Sequence, residues 1–462
     1  MRDERREQQN LNLVTGSPTS YGAGLREQEE VHQLDMLPNR WARVSLKAKD
    51  KNSVFANLLT HFHVDSFKEA FKALDGSKAR GVDGISKSEY GKNLESNLKA
   101  LEQRVKRGTY RPQPKKEVLI PKANGKTRPI CISCFEDKIV DWVISKTLTQ
   151  IYEPLFIRNS FGYRPNKSAD GAIKACYNSL VKNKRQHVVE IDFSNFFNKI
   201  PHRKLMKILG KKISDNKFKG LIGRFLVGDL ISHDGEQIPS EIGTPQGSIM
   251  SPVLANVYLN EVLDQWFLEN YASHDNVIVR YADDAVFFFK EKTIAEKFMM
   301  ELKERVETFE LELNEDKTHM LELAKGNHNS FSFLGLSFYW GKTNKRKVLK
   351  VKIEKSKLLR AIREFEVWIK QNRSNYKLKE LWSLAKSKVT GHVNYYGYYS
   401  NALKINHFYH EVLKSLFKWL NRRSQKRSYT WDGFCERLKN FPLMTPLKEI
   451  KFKQLGYNIY GN

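Results

Sequence analysis

The 462-residue chain predicts an α/β fold of the mixed α+β kind, on three observations. Short runs of β-branched and aromatic residues, such as Val277-Ile278-Val279 and Ala285-Val286-Phe287-Phe288-Phe289, alternate with longer stretches whose apolar residues return at helical spacing. A short polar break, Tyr281-Ala282-Asp283-Asp284, separates those two runs and reads as the turn of an antiparallel hairpin. Between positions 341 and 430, 23 lysines and arginines face only 5 acidic residues in a helical pattern. Two-thirds of the net charge of +27 therefore sits in a fifth of the length.

Taken in order, residues 1–53 are polar and broken by Gly16, Pro18, Gly22, Gly24 and Pro38, which predicts a flexible arm. From Val54 to Leu74 apolar residues recur at helical spacing. Gly81-Val82-Asp83-Gly84 interrupts them, and a second helix is expected over about 88–107. Residues 118–121 and 128–132 read as strands joined by a basic glycine turn. Strongly amphipathic helices are predicted over 136–152 and 170–184, and a short buried strand over 188–192. Further helices follow from about His202, over 251–270 with Pro252 in its favoured first turn, and over 294–309. After Gly341 the pattern is helical, carried by Leu358, Leu359, Ile362, Phe365 and Ile369, with aromatics from Tyr395 to Tyr409 interleaved.

The charge points to a polyanionic partner, most simply nucleic acid. A basic membrane-surface protein is the competing class, but no apolar run reaches 18 residues and no lipidation signal is present. The opening Met1-Arg2-Asp3-Glu4-Arg5-Arg6-Glu7 lacks the apolar core of a secretion signal, so a cytoplasmic protein is expected. Four cysteines suit a reducing compartment, and Cys131-Ile132-Ser133-Cys134 has no second pair at zinc spacing, which favours packing over metal.

Chemistry is carried by carboxylates. Asp283 and Asp284, adjacent on a tight turn, repel each other unless a cation relieves them, and hard oxygen donors suit Mg²⁺. An acidic hairpin turn with no metal would look the same locally. Asp192 supplies a third carboxylate at the end of a buried strand. Near the Asp283-Asp284 turn, it would complete a site for two Mg²⁺ ions, the arrangement that lowers the barrier to phosphoryl transfer.

In this order, Asp192-Phe193-Ser194-Asn195-Phe196-Phe197, Gly243-Thr244-Pro245-Gln246-Gly247-Ser248, Tyr281-Ala282-Asp283-Asp284, Leu313-Asn314-Glu315-Asp316-Lys317-Thr318 and Phe333-Leu334-Gly335-Leu336 resemble the successive palm motifs of a reverse transcriptase. With Gly81-Val82-Asp83-Gly84, Phe161-Gly162-Tyr163-Arg164-Pro165 and Gly391-His392-Val393-Asn394-Tyr395-Tyr396, the chain resembles the group II intron-encoded reverse transcriptase/maturases from about Phe55 onward. The resemblance implies a right-hand polymerase. Fingers and palm would lie around an antiparallel sheet over 54–340, a helical thumb or maturase X domain over 341–430, and a short tail over 431–462. Asp192 and Asp283 would be direct Mg²⁺ ligands with Asp284 in support, Mn²⁺ being a substitute ion. Lys122 and Arg128 would neutralise the incoming triphosphate. Phe193, Phe197 and Gln246 would shape the dNTP site, Phe197 as the gate against a ribose 2′-hydroxyl. Gly247, Tyr281, Phe333, Leu334 and Gly335 would line the template and primer path, and Lys317 would protonate departing pyrophosphate.

The implied partners are an RNA template, cognate intron RNA, a DNA primer or target and dNTPs, with no membrane and with a homodimer left open. Many members of that family continue into an HNH endonuclease with paired cysteines, whereas only Cys435 lies in the tail here, so cleavage of a second DNA strand is not expected. The alternatives are a splicing-only RNA-binding maturase and a relative serving DNA repair or antiviral defence.

Overall fold

The structure is a computed structural model that describes residues 40–121, 127–232, 234–239, 241–272, 276–343, 346–423, 429–444 and 452–455. Lys122 lies outside the described residues. The chain builds three sheets. β1 (Lys115–Pro121) and β2 (Thr127–Ile132) pair antiparallel, and β1 also pairs parallel with the short β4 (Leu230–Ile231), which carries β5 (Gln237–Ile238). The central sheet has the order β6-β7-β3-β8, from Val277–Tyr281, Asp284–Phe289, His187–Ile191 and His319–Glu322, and is antiparallel throughout. A third antiparallel sheet joins β9 (Ser330–Phe333), β10 (Leu336–Lys342) and β11 (Lys347–Ile353).

The central sheet is buried on both sides, which explains why β7 is an unbroken apolar run rather than an alternating one. Ala285, Phe287 and Phe289 face a core shared with the helices at Val64–Ala73, Phe135–Tyr152, Asn216–Leu226 and Lys292–Thr308. Val286 and Phe288, with Val188 and Val279, face a second core built from the third sheet and the helices Lys355–Asn372, Leu378–Tyr396 and Ala402–Leu420.

Several expectations need correction. The segment read as an arm up to Ser53 includes the helix Arg40–Lys47, where Trp41, Val44 and Ala48 recur on one face and enter the core. The run from 54 to 74 is split, because Asn57 adopts a left-handed conformation and His63 caps a separate helix, Val64–Ala73. The helix Phe135–Tyr152 is buried on most sides rather than amphipathic. Asp137 and Asp141 lie within that buried surface because Tyr110 Oη donates to one and Ser248 Oγ to the other. The basic C-terminal stretch opens with a strand, not a helix: Lys347–Ile353 pairs with β10 along its full length. The segment 251–270 runs as Ser251–Leu259, a π-helical stretch Asn260–Gln265, then Trp266–Tyr271. Cys131 and Cys134 are buried free thiols.

Candidate active site

Topology gathers the three aspartates. β6 and β7 form a hairpin whose closing pair is Tyr281 opposite Asp284, leaving Ala282 and Asp283 as the two-residue turn. Ala282 has a φ of 58°, as tight hairpin turns require. β3 pairs antiparallel with β7 so that Ile191 lies opposite Ala285, which carries Asp192 to the Asp284 end of the hairpin. The Leu313–Thr318 motif then wraps Asp192. Ser194 N donates to the Glu312 carbonyl at 2.8 Å, Asn314 N to the Asp192 carbonyl at 2.8 Å, and Lys317 Nζ to Asp192 Oδ2 at 2.8 Å.

The electrostatics follow from crowding. Asp284 keeps solvent access, yet enough protein surrounds it that desolvation, followed by Asp283 and Asp192, pushes its pKa up to about 6. Desolvation also raises Asp283, with Asp192 adding to it. Lys317 is raised by its hydrogen bond to Asp192 and stays charged. Glu190 on β3, which sequence reading did not single out, is lifted to about 7 by burial, with Asp284 and Asp192 contributing. Among the described residues, no three His, Cys, Asp or Glu side chains are gathered tightly enough to coordinate an ion as they stand, and Asp192 is engaged by Lys317 instead. The donor set nevertheless fits a hard divalent cation: oxygen ligands whose charge is disfavoured by burial and mutual repulsion.

A second group of motif residues meets beside Asp192. Phe197 is half-buried, edge-on to Phe196 at 5.4 Å, and its carbonyl accepts from Thr244 N at 2.7 Å. Gln246 links three segments. Its Oε1 accepts from Arg128 Nε at 2.8 Å, its Nε2 donates to Asn198 Oδ1 at 3.1 Å, and its carbonyl accepts from Cys131 N at 2.6 Å. Gly247, with φ of 112°, has room for no side chain, since a Cβ would stand 2.4 Å from the Cys131 carbonyl oxygen. Phe193 is a correction: its ring is in the core against Phe196, so it cannot shape the dNTP site directly.

On the far side, Leu334 and Gly335, with φ of 54° and 76°, form the two-residue turn between β9 and β10. Tyr395 Oη donates to the Leu334 carbonyl at 3.1 Å, and the Tyr396 hydroxyl lies 3.0 Å from where a Gly335 Cβ would stand. Both tyrosines of the Asn-Tyr-Tyr segment thus touch this turn. Tyr281 is half-buried beside it, whereas Phe333 is 3% exposed and supports the turn from within rather than offering a surface to nucleic acid. Asn198, bonded to Gln246, and Arg280, bonded to the Ala282 carbonyl, join the site with no motif chemistry to mark them. The one signal for Arg280 was a charged residue inside an apolar strand.

The chain is similar to several known proteins. Residues 120–338 match the family described as reverse transcriptase (RNA-dependent DNA polymerase). Protein YkfC of Escherichia coli (strain K12) is 32% identical over 294 residues, covering 56% of this chain and 76% of YkfC. The group II intron-encoded protein LtrA of Lactococcus lactis subsp. cremoris is 33% identical over 230 residues, covering 49% of this chain and 38% of LtrA. Among solved structures, apo telomerase from Candida Tropicalis aligns with a TM-score of 0.45 and 15% identity, over 72% of this chain and 62% of that one. The chain belongs to the reverse transcriptase family, the RNA-dependent DNA polymerases. Among the described residues, no helix is long and apolar enough to cross a membrane.

Proposed function

We propose that this chain copies RNA into DNA from dNTPs at the Asp192–Asp283–Asp284 cleft, and that it binds its cognate intron RNA to promote splicing and mobility. The observation that carries the reading is the convergence of three carboxylates, two of them raised by burial and by neighbouring aspartates, at the open end of the central sheet. Asp192, Asp283 and Asp284 would hold two Mg²⁺ ions, or Mn²⁺ in their place. Bound there, the ions would supply positive charge to the attacking 3′-hydroxyl and the leaving pyrophosphate.

The remaining work falls to the chain itself. Lys317, paired with Asp192, would stand next to the leaving group as a charged donor. Arg128, with Lys122, meets the triphosphate, while Gln246 keeps the Arg128 guanidinium facing the Phe197 turn. The half-buried Phe197 ring limits space at the sugar 2′ position. Gly247, Tyr281 and the Leu334-Gly335 turn follow the template and primer. Fingers and palm occupy 54–340, and a thumb of the maturase X type occupies 341–430. Its proposed place of action is the cytoplasm.

The test is primer extension on poly(rA)/oligo(dT) with Asp283→Ala. Extension should fall below detection with RNA binding retained. Full activity in the variant would remove the metal assignment.

A further inference from the structure

The hairpin that carries Asp283 does not rest on its own turn geometry. Close before it, at the end of β6, Arg280 is fully buried, and its guanidinium is spent on three partners. Nε donates to Asp264 Oδ1 at 2.8 Å and NH2 to Asp264 Oδ2 at 2.5 Å, a two-point pairing that fixes the plane of the fork. NH1 donates to Asn256 Oδ1 at 2.9 Å and to the Ala282 carbonyl at 2.8 Å. That carbonyl belongs to the peptide joining Ala282 to Asp283.

Both supporting side chains come from one helix, and its irregular geometry places them. Asn256 lies in the regular part, Ser251–Leu259, and Asp264 in the π-helical stretch Asn260–Gln265. π-helical turns inside helices occur often at functional sites, because the extra residue redirects the side chains that follow. Asn256 also donates from Nδ2 to the Gly162 carbonyl at 2.8 Å. Gly162 in turn lies so close to the hairpin that a Cβ there would stand 2.3 Å from Ala282 N. The strand is tied to this loop a second time: Arg280 N donates to the Asn159 carbonyl at 3.0 Å, and Phe161 N donates to the Arg280 carbonyl at 2.8 Å. Arg164 stiffens the loop from its other end, with NH1 on the Ile157 and Ser160 carbonyls at 2.6 and 2.7 Å and NH2 on Glu153 Oε1 at 2.8 Å. The Phe161–Pro165 motif and the aspartate hairpin are therefore one rigid unit.

We propose that Arg280, fixed by Asp264 and Asn256, is a positioning residue for the Asp283 carboxylate, holding it in place before any cation arrives. This rests on the metal reading above. A buried Arg-carboxylate pair is weak support for stability by itself, since an apolar pair of similar volume often replaces it without loss. That fact separates positioning from simple packing. In Arg280→Met/Asp264→Leu the core stays filled, but nothing donates to the Ala282 carbonyl.

Two quantities are read on the full chain: Mn²⁺ binding by electron paramagnetic resonance without nucleotide, and single-turnover extension with saturating primer-template. In the double variant, Mn²⁺ affinity and extension rate should each fall by about 10–100-fold, as loss of a group that orients a metal ligand does, while melting temperature and primer-template affinity hold. Unchanged Mn²⁺ affinity in the folded double variant would overturn the proposal. Should that variant not fold, Arg280→Lys decides by the same readouts, because one ammonium keeps charge against Asp264 but cannot also fork to Asn256 and Ala282. Asp283→Ala serves as reference. If it leaves Mn²⁺ binding intact, the metal reading itself fails; if it abolishes binding and the Arg280 variants leave the affinity unchanged, only the positioning role fails.

Discussion

Phe197 stands half-buried at the short turn Phe196–Lys199, its carbonyl held by Thr244 and its neighbour Asn198 tied to Gln246. Removing the ring opens space without disturbing those backbone bonds. Phe197→Ala should therefore raise ribonucleotide incorporation relative to deoxyribonucleotides, read by competing rNTP and dNTP extension, and unchanged sugar selectivity would remove the gate. At this scale the sequence was most legible where chemistry requires a residue type. The apolar runs that flank Asp192, Asp283 and Asp284 predict the strand end and hairpin turn on which the three meet. Arg280, Asp264 and Asn256 were not legible, since their meaning is a three-way junction between segments separated along the chain. Phe193 and Phe333 were misplaced for the opposite reason: they sit inside recognisable motifs, but strand alternation turns their rings into the core.

Among elements, hydrophobic periodicity located most strands and helices, and the errors share one cause. Periodicity reports burial, and burial here was shared between neighbours in ways one segment cannot reveal. The helix Phe135–Tyr152 read as amphipathic because Asp137 and Asp141 counted as exposed, yet both are buried and bonded. Burial drives Asp137 up to about 7. Lys347–Ile353 was lost in a lysine-rich run, although Leu349, Val351 and Ile353 alternate with Lys350 and Lys352 as a half-buried strand requires. The helix Leu378–Tyr396 carries a pH-dependent weakness. His392 lies 3.7 Å from the Phe408 ring in a stacked arrangement, its Nε2 has no hydrogen-bond partner, and burial lowers its pKa from 6.5 to about 4. Protons therefore bind the unfolded chain better, so the stabilisation is full above pH 6.5 and is lost as pH falls toward about 4. Thermal denaturation across that range should show the loss in the wild type and a flatter profile in His392→Phe; identical profiles would exclude His392 as the source.

For the whole molecule, charge distribution was the most legible property, because it needs no fold to be counted. Lys355, Arg363 and Lys386 are exposed on the C-terminal helices. Changing all three to Gln should weaken RNA binding and lower the salt dependence of log K by about 0.7–0.9 for each phosphate left without its cation. An unchanged slope would assign that face to solvent alone. What no count could show is that the central sheet serves two cores, one on each face. The wall formed by Val188, Val279, Val286 and Phe288 is covered in part by Ala172, Ile173 and Cys176 and completed by residues that come later in the chain, among them Phe331, Phe338, Leu358 and Val389. A fragment ending at residue 340 keeps Phe331 and Phe338 but loses Leu358, Phe365 and Val389, so it would bare the C-terminal side of that core and should clump on expression rather than polymerise at a reduced rate. The same wall governs exchange of parts between relatives. A C-terminal half grafted from another family member would need to match its contours before any RNA preference could be transferred, so the two halves are expected to change in step over descent.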